Sequence, residues 1–233
     1  MKIKPIKAFE DNYIWMMEKD KQAVAVDPGE SKGVKDYLKE NELQLAAVLL
    51  THKHDDHTAG VNDLVDDWPE LAVYGPVECG EWADHIVREG DSFELLEEDF
   101  QVMKTAGHTE EHISYLTGEH LFCGDALFYA GCGRVFTGDY RAQYDSLQLF
   151  SQLPDEVKVY AGHEYSLTNL EFAHSVAPDQ PAVQEALDQV RKMREEDQIT
   201  LPSSIGHEKQ VNLFMQAEDV KAFKLLRDQR DNF

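Results

Sequence analysis

Apolar positions in the first two-thirds of the chain alternate or run in short blocks, and their period changes wherever turn-forming residues intervene. Ile3 to Ala8, Tyr13 to Glu18 and Ala23 to Val26 have the character of strands, separated by Asp11-Asn12 and Lys19-Asp20-Lys21. Asp27-Pro28-Gly29 ends the third strand. Val34, Tyr37 and Leu38 then predict a helix over 32–41 with Ser31 as its cap, and the apolar run 45–50 predicts a buried strand. Val61, Leu64, Val65 and Trp68 are spaced for a helix, and Leu71 to Tyr74 for a short strand broken by Gly75-Pro76. Phe93 to Lys104 suits one or two antiparallel strands. Ile113 to Leu116 and His120 to Cys123 suit a hairpin around Thr117-Gly118, Ser146 to Leu153 a helix, and Val157 to Tyr160 a strand. Strand, helix and strand in alternation predict a layered α/β architecture.

After Tyr165 the pattern is helical only. Leu167 to Val176, Ala182 to Asp197 and Glu218 to Arg230 carry helical spacing, punctuated by Pro178, Pro181 and Pro202. The change places a domain boundary near Ser166, giving domains 1–165 and 166–233. No low-complexity linker separates them, so the helical part is expected to pack directly on the first.

Composition narrows the functional classes. A chain of 233 residues can bury one substantial core. Its 45 Asp and Glu against 22 Lys and Arg leave a formal charge of -23. Such a surface repels phosphate backbones, which disfavours a nuclease or a general nucleic-acid binder. Cys79, Cys123 and Cys132 are odd in number and without paired spacing, no apolar segment of signal-peptide length opens the sequence, and no run is long enough to span a bilayer. A monomeric cytoplasmic protein without a membrane role is the expectation.

The candidate chemistry is concentrated in Thr51-His52-Lys53-His54-Asp55-Asp56-His57, directly after a predicted buried strand. His52 and His54, two apart at a strand end, project to one side. Imidazole and carboxylate suit zinc, iron or manganese, and the absence of cysteine from the cluster argues against a closed structural zinc site. Three later predicted strands also end at candidate ligands: His108, Asp125 and His163. The His-x-His-x-Asp-His spacing resembles that of the metallo-β-lactamase-fold hydrolases. One assignment uses every candidate: His52, His54 and His108 hold a first metal, Asp56, His57 and His163 a second, and Asp125 bridges the two. Zinc is the first expectation for both, with iron or manganese compatible. The nucleophile is then expected to be a hydroxide held between the ions, with Asp56 and Asp125 as the carboxylates of the catalytic centre.

Gly107-His108-Thr109, Cys123-Gly124-Asp125, Gly131-Cys132-Gly133-Arg134 and Gly162-His163-Glu164-Tyr165, with the His-rich segment, are similar in order and context to the glyoxalase II family of hydroxyacylglutathione hydrolases. The resemblance extends over essentially the whole chain. It implies a four-layer αββα domain carrying a binuclear site, a smaller C-terminal helical domain that helps to hold glutathione, and cleavage of S-D-lactoylglutathione to D-lactate and glutathione. It further implies substrate contacts from Arg134, Tyr165, Arg227 and Arg230, with Phe136 standing where many members have tyrosine. Asn212-Leu213-Phe214-Met215-Gln216 lacks the proline and the terminal arginine of the corresponding family segment. Rival readings are an iron-dependent persulfide dioxygenase, a metallo-β-lactamase proper, and a non-catalytic metal-stabilised binding protein. His85, His120, His174 and His207 are read as surface or structural residues, and Cys123 and Cys132 as packing beside tight turns. His112 and Asp27 are candidates for orienting metal ligands, and Asp55 is expected to face solvent or cap the next helix.

Overall fold

The structure is a computed structural model describing residues 1–233. In chain order it contains β1 (Lys2–Ala8), β2 (Asn12–Lys19), β3 (Gln22–Val26), α1 (Lys32–Glu40), β4 (Gln44–Leu49), α2 (Asp55–Thr58), α3 (Val61–Asp67), β5 (Ala72–Gly75) and β6 (His85–Ile86). A second series follows: β7 (Ser92–Leu95), β8 (Glu98–Lys104), β9 (Ile113–Thr117), β10 (His120–Gly124), α4 (Tyr140–Ser151) and β11 (Lys158–Ala161). The C-terminal part adds α5 (Ser166–Val176), α6 (Pro181–Glu195), β12 (Ser203–Ser204), α7 (Ile205–Val211) and α8 (Val220–Arg230).

The strands form two six-stranded sheets, ordered β1-β2-β3-β4-β5-β6 and β12-β11-β10-β9-β8-β7. Period-two alternation explains how both faces of the first sheet are buried. On β2, Tyr13, Trp15 and Met17 face the large core between the sheets, whereas Ile14 and Met16 face a smaller core with Val34 and Leu38 of α1 and Val61 and Leu64 of α3. The second sheet is covered in turn by Leu147 and Phe150 of α4. Helix, sheet, sheet and helix are therefore stacked as layers of one α/β structure.

The large core does not stop at the second sheet. Leu170 and Phe172 of α5, Val183 and Leu187 of α6, Phe214, and Phe223 of α8 belong to the same buried cluster as Trp15, Leu49 and Tyr115. Hydrogen bonds across the sandwich fix the strand ends that matter later. Trp15 Nε1 donates to the Ala161 carbonyl at 2.9 Å, Tyr115 Oη to the Leu50 carbonyl at 2.8 Å, and Tyr13 N to the Gly162 carbonyl at 2.8 Å.

Some local expectations change and others hold. Ser31 makes no side-chain cap, and its hydroxyl donates instead to Asp63 Oδ2 at 2.9 Å. Helix α4 begins six residues before Ser146, because Asp139 accepts from Ala142 N at 2.9 Å and starts the helix there. The 93–104 segment is two strands joined at Leu96 and Glu97, both with φ near +55°. Asp55 is the first residue of α2 and is exposed. Strand β12 and helix α7 lie outside the expected elements, being too short to show a period. No helix is long and apolar enough to cross a membrane.

Helix α7 buries Glu208 completely. Its carboxylate accepts from Ala130 N at 2.8 Å, Asn212 Nδ2 at 3.0 Å and Ser203 Oγ at 2.6 Å, with no cation beside it. Burial pushes its carboxyl up to about 7. A native acid above its unfolded value favours folding below the unfolded value, and that contribution is lost as pH rises through the native one. Replacement by isosteric glutamine removes the dependence. Glu208→Gln is therefore expected to gain stability relative to wild type between pH 5 and 8, by roughly 3 kcal/mol at the upper end, in denaturant melts across that range.

Candidate metal centre

Five of the seven expected ligands stand on loops that leave the sheets at one edge of the sandwich, and the other two, Asp56 and His57, lie in the single turn of α2. His52 and His54 follow β4 and His108 follows β8. Asp125 follows β10, and His163 follows β11. His52 Nε2 is 3.1 Å from His54 Nδ1, which is 3.0 Å from His108 Nε2. A second group joins Asp56, His57 and His163. Asp56 Oδ2 is 3.5 Å from His57 Nε2 and 3.3 Å from His163 Nε2. Asp125 lies between the groups: its carboxylate oxygens are 3.4 Å from His108 Nε2 on one side and 3.4 Å from His57 Nε2 and His163 Nε2 on the other.

Each imidazole is turned to aim one nitrogen inward. His108 Nδ1 donates to the Arg134 carbonyl at 2.8 Å, and His163 Nδ1 to Asp11 Oδ1 at 2.8 Å, so both present Nε2. Thr51 Oγ1 donates to Asp27 Oδ2 at 2.7 Å and thus accepts from His52 Nδ1 at 3.0 Å. Asp27 also accepts from Thr51 N at 2.8 Å and sits 3.1 Å from His57 Nδ1, so one carboxylate steadies a ring in each group. His112 is not in either group. Its Nε2 accepts from Asp125 N at 3.2 Å, which fixes the backbone under the shared carboxylate.

The donor set fits divalent cations. Three imidazole nitrogens converge at hydrogen-bond distance, and His57 Nε2 and Asp125 Oδ1 are buried without a hydrogen-bond partner. Burial, then neighbouring imidazoles, pushes His52 down, and burial also pushes His54 and His108 down, which keeps them as neutral donors. The second group answers oppositely. Burial lowers His57 and His163, but the Asp125 carboxylate and their other carboxylate neighbours outweigh it and raise both. Burial raises Asp56 and Asp125, yet the adjacent imidazoles hold both carboxyls well below the usual range. That side demands positive charge whether or not a metal supplies it.

A cavity of about 570 Å³ opens onto both groups. Its lining includes all five expected substrate residues. Phe136 is exposed, its ring 5.5 Å from His54 and 5.3 Å from His108, with the Arg134 guanidinium 5.9 Å above it. Tyr165 stacks on His163 at 4.7 Å. The two C-terminal arginines diverge in role. Arg230 Nε donates to Asn169 Oδ1 at 3.2 Å, whereas Arg227 is buried, donating to the Cys132 carbonyl at 2.8 Å and to Asp231. Its guanidinium is already committed to the protein, although Arg227 lines the cavity together with Arg230. Asp11, Asn12, Thr51 and Asn169 were not among the expected site residues; Asp11-Asn12 read as a turn, and nothing local signals its approach to His163. His85 stacks on Tyr74, and His120 and His207 bond Tyr160 and Tyr129, away from the centre.

Comparison with known proteins places this geometry in a lineage. Residues 9–163 match the family model of the metallo-beta-lactamase superfamily, and residues 164–233 match that of the hydroxyacylglutathione hydrolase C-terminus. A hydroxyacylglutathione hydrolase of Glaesserella parasuis is 50% identical over 234 residues, covering 100% of both chains. The chain belongs to the hydroxyacylglutathione hydrolase family. Membership of this thioester hydrolase family extends to more distant relatives: the Pectobacterium atrosepticum hydroxyacylglutathione hydrolase is 39% identical over 253 residues, again with 100% of both chains covered. Among solved structures, ETHE1 from Myxococcus xanthus has a TM-score of 0.76 and 29% identity, over 98% of this chain and 90% of its own. The His and Asp cluster is thus the divalent-metal site of a metallo-β-lactamase fold.

Gly162 tests how closely the centre is built. A Cβ there would stand 2.7 Å from both Asp125 Oδ1 and His57 Cε1. Gly162→Ala is expected to fold but to lose about 10–100-fold in metal affinity, measured by competition with a chromophoric chelator. Unchanged affinity would show that the shared carboxylate is not tightly placed.

Proposed function

We propose that the chain hydrolyses the thioester of S-D-lactoylglutathione to D-lactate and glutathione, with two divalent metals, zinc first, at the paired ligand groups. The observation that carries this reading is the full-length match, helical part included, to relatives named hydroxyacylglutathione hydrolase. In the division of labour, residues 1–165 supply the metal ligands and most of the substrate wall, and 166–233 add Asn169, Arg227, Arg230 and Asp231 to it. His52, His54 and His108 would hold one metal and Asp56, His57 and His163 the other, with Asp125 within reach of both groups. Bound there, divalent cations supply Lewis acidity towards the thioester oxygen and a water of lowered pKa.

The protein's own residues bind and orient. Glutathione thioesters carry two carboxylates, which a chain of charge -23 repels overall. Arg134, over half exposed at the cavity mouth, offers a guanidinium for bidentate pairing with a carboxylate. Arg230 adds a cation deeper in the wall, and Phe136 and Tyr165 flank the path to the ligands. Asn12 Nδ2 donates to Asp56 Oδ2 at 2.9 Å and keeps that carboxylate turned towards His57 and His163. During hydrolysis water adds to the carbonyl carbon and the C–S bond breaks. The departing thiolate has a conjugate acid near pKa 8.5, so no protonated side chain is needed at the sulfur.

The test is turnover of S-D-lactoylglutathione without oxygen, with metal counted in the same sample. Hydrolysis is expected with about two metals per chain, as a two-metal centre requires, and is lost on chelation. Oxygen-dependent turnover of a persulfide instead would overturn the reading. Asp125→Asn is expected to lower kcat by about 100-fold or more through the lost ligand charge. Arg134→Ala should mainly raise KM, by about tenfold or ~1.4 kcal/mol, because its contact is made equally before and during reaction.

A further inference from the structure

The turn that follows Asp125 is gripped from outside. Phe128 and Gly131 exchange two backbone hydrogen bonds of 3.0 Å, and Ala130 between them has φ of +53°, a left-handed conformation unfavourable for alanine. Its backbone polar groups are taken one after another by buried side chains of the helical part. Ala130 N donates to Glu208 Oε2 at 2.8 Å, Asn169 Nδ2 donates to the Tyr129 carbonyl at 3.1 Å, and Asn212 Nδ2 to the Gly131 carbonyl at 3.0 Å. Asn212 also donates to Glu208, and Ser203 completes the carboxylate's shell.

This turn is connected to the metal centre at both ends. Gly133 N donates to the Asp125 carbonyl at 3.0 Å, closing the loop onto the shared carboxylate's own backbone. The next residue, Arg134, gives its carbonyl to His108 Nδ1. A Cβ on Gly133 would come within 2.7 Å of that nitrogen, so the loop has little room to slide. Phe136 and Arg134 are tethered separately: Thr137 Oγ1 donates to the Gly107 carbonyl at 2.7 Å, and Arg227 grips Cys132.

We propose that Glu208 is a positioning residue for the metal centre, acting through the strained Ala130 turn on Asp125 and His108, with Asn212 and Asn169 as its partners. The helical part thereby assembles the ligand set as well as lining the substrate wall. This deepens the hydrolase reading and rests on it for the kinetic arm only; the metal arm stands whatever the substrate is.

The experiment compares wild type, Glu208→Ala and Glu208→Gln as metal-loaded full-length protein, each normalised to its folded fraction. Metal affinity is read by chelator competition, and coordination by the visible absorption of the cobalt(II) form. Glu208→Ala is expected to lose about tenfold in metal affinity and to change the cobalt spectrum, with kcat reduced and KM within about twofold. Glu208→Gln, which retains an acceptor for Ala130 N, restores all three. Affinity within about threefold of wild type in the alanine variant, with an unchanged spectrum, overturns the proposal, as does a loss that glutamine does not rescue. If alanine prevents folding, Glu208→Asp, which withdraws the carboxylate by one methylene, is measured against the same limits. Failure of wild type to cleave S-D-lactoylglutathione while the metal arm behaves as expected would sink the substrate reading alone.

Discussion

Buried carboxylates among imidazoles are the constraint on which the site end of the molecule depends. Asp27, Asp125 and His57 are almost entirely removed from water, and burial of an unpaired charge costs far more than the whole stability of a domain. The structure answers by making every charge shared. Asp27 is divided between Thr51 and His57, and Asp125 between two ligand groups, with His112 fixing its backbone. The atoms left without partners point where a cation belongs. A metal site and a stable core are thus one solution, because the same strand ends that carry the ligands are tied across the sandwich by Trp15 and Tyr115.

The chemistry is divided in the same manner. Neutral donors gather in the first group, where burial outweighs the pull of the Asp125 carboxylate, and the second group concentrates negative charge. Above them the cavity wall carries Arg134, Arg227 and Arg230 alongside its aspartates, within a strongly acidic protein. Such guanidiniums beside the ligand groups give the carboxylates of a glutathione thioester cations to pair with inside an otherwise repelling protein.

Most of this was legible because ligand chemistry is local in sequence while its consequences are not. The His-x-His-x-Asp-His segment, with His108, Asp125 and His163 each closing a strand, announces a divalent-metal donor set, and alternating apolar blocks announce the layered α/β core. Short elements were not legible: β12 and α7 carry no period, and α4 starts from a hydrogen bond to Asp139 rather than from hydrophobic spacing. Arg227 and Arg230 share spacing on one helix, yet only the fold decides that the first is buried against Cys132 and Asp231 while the second lies against Asn169.

What the sequence by itself determined was the class of fold, the presence of a His and Asp cluster suited to divalent metal and the family, since residue type and short spacing carry that information directly. Only the tertiary structure decided which nitrogen each histidine presents, that Asp125 stands between the groups, and which polar residues hold the ligands in place. Asp11 reaches His163 from 152 residues away, and Glu208 reaches Ala130 from 78. Such pairings depend on how two sheets and a helical flank close on one another, and no local period records that.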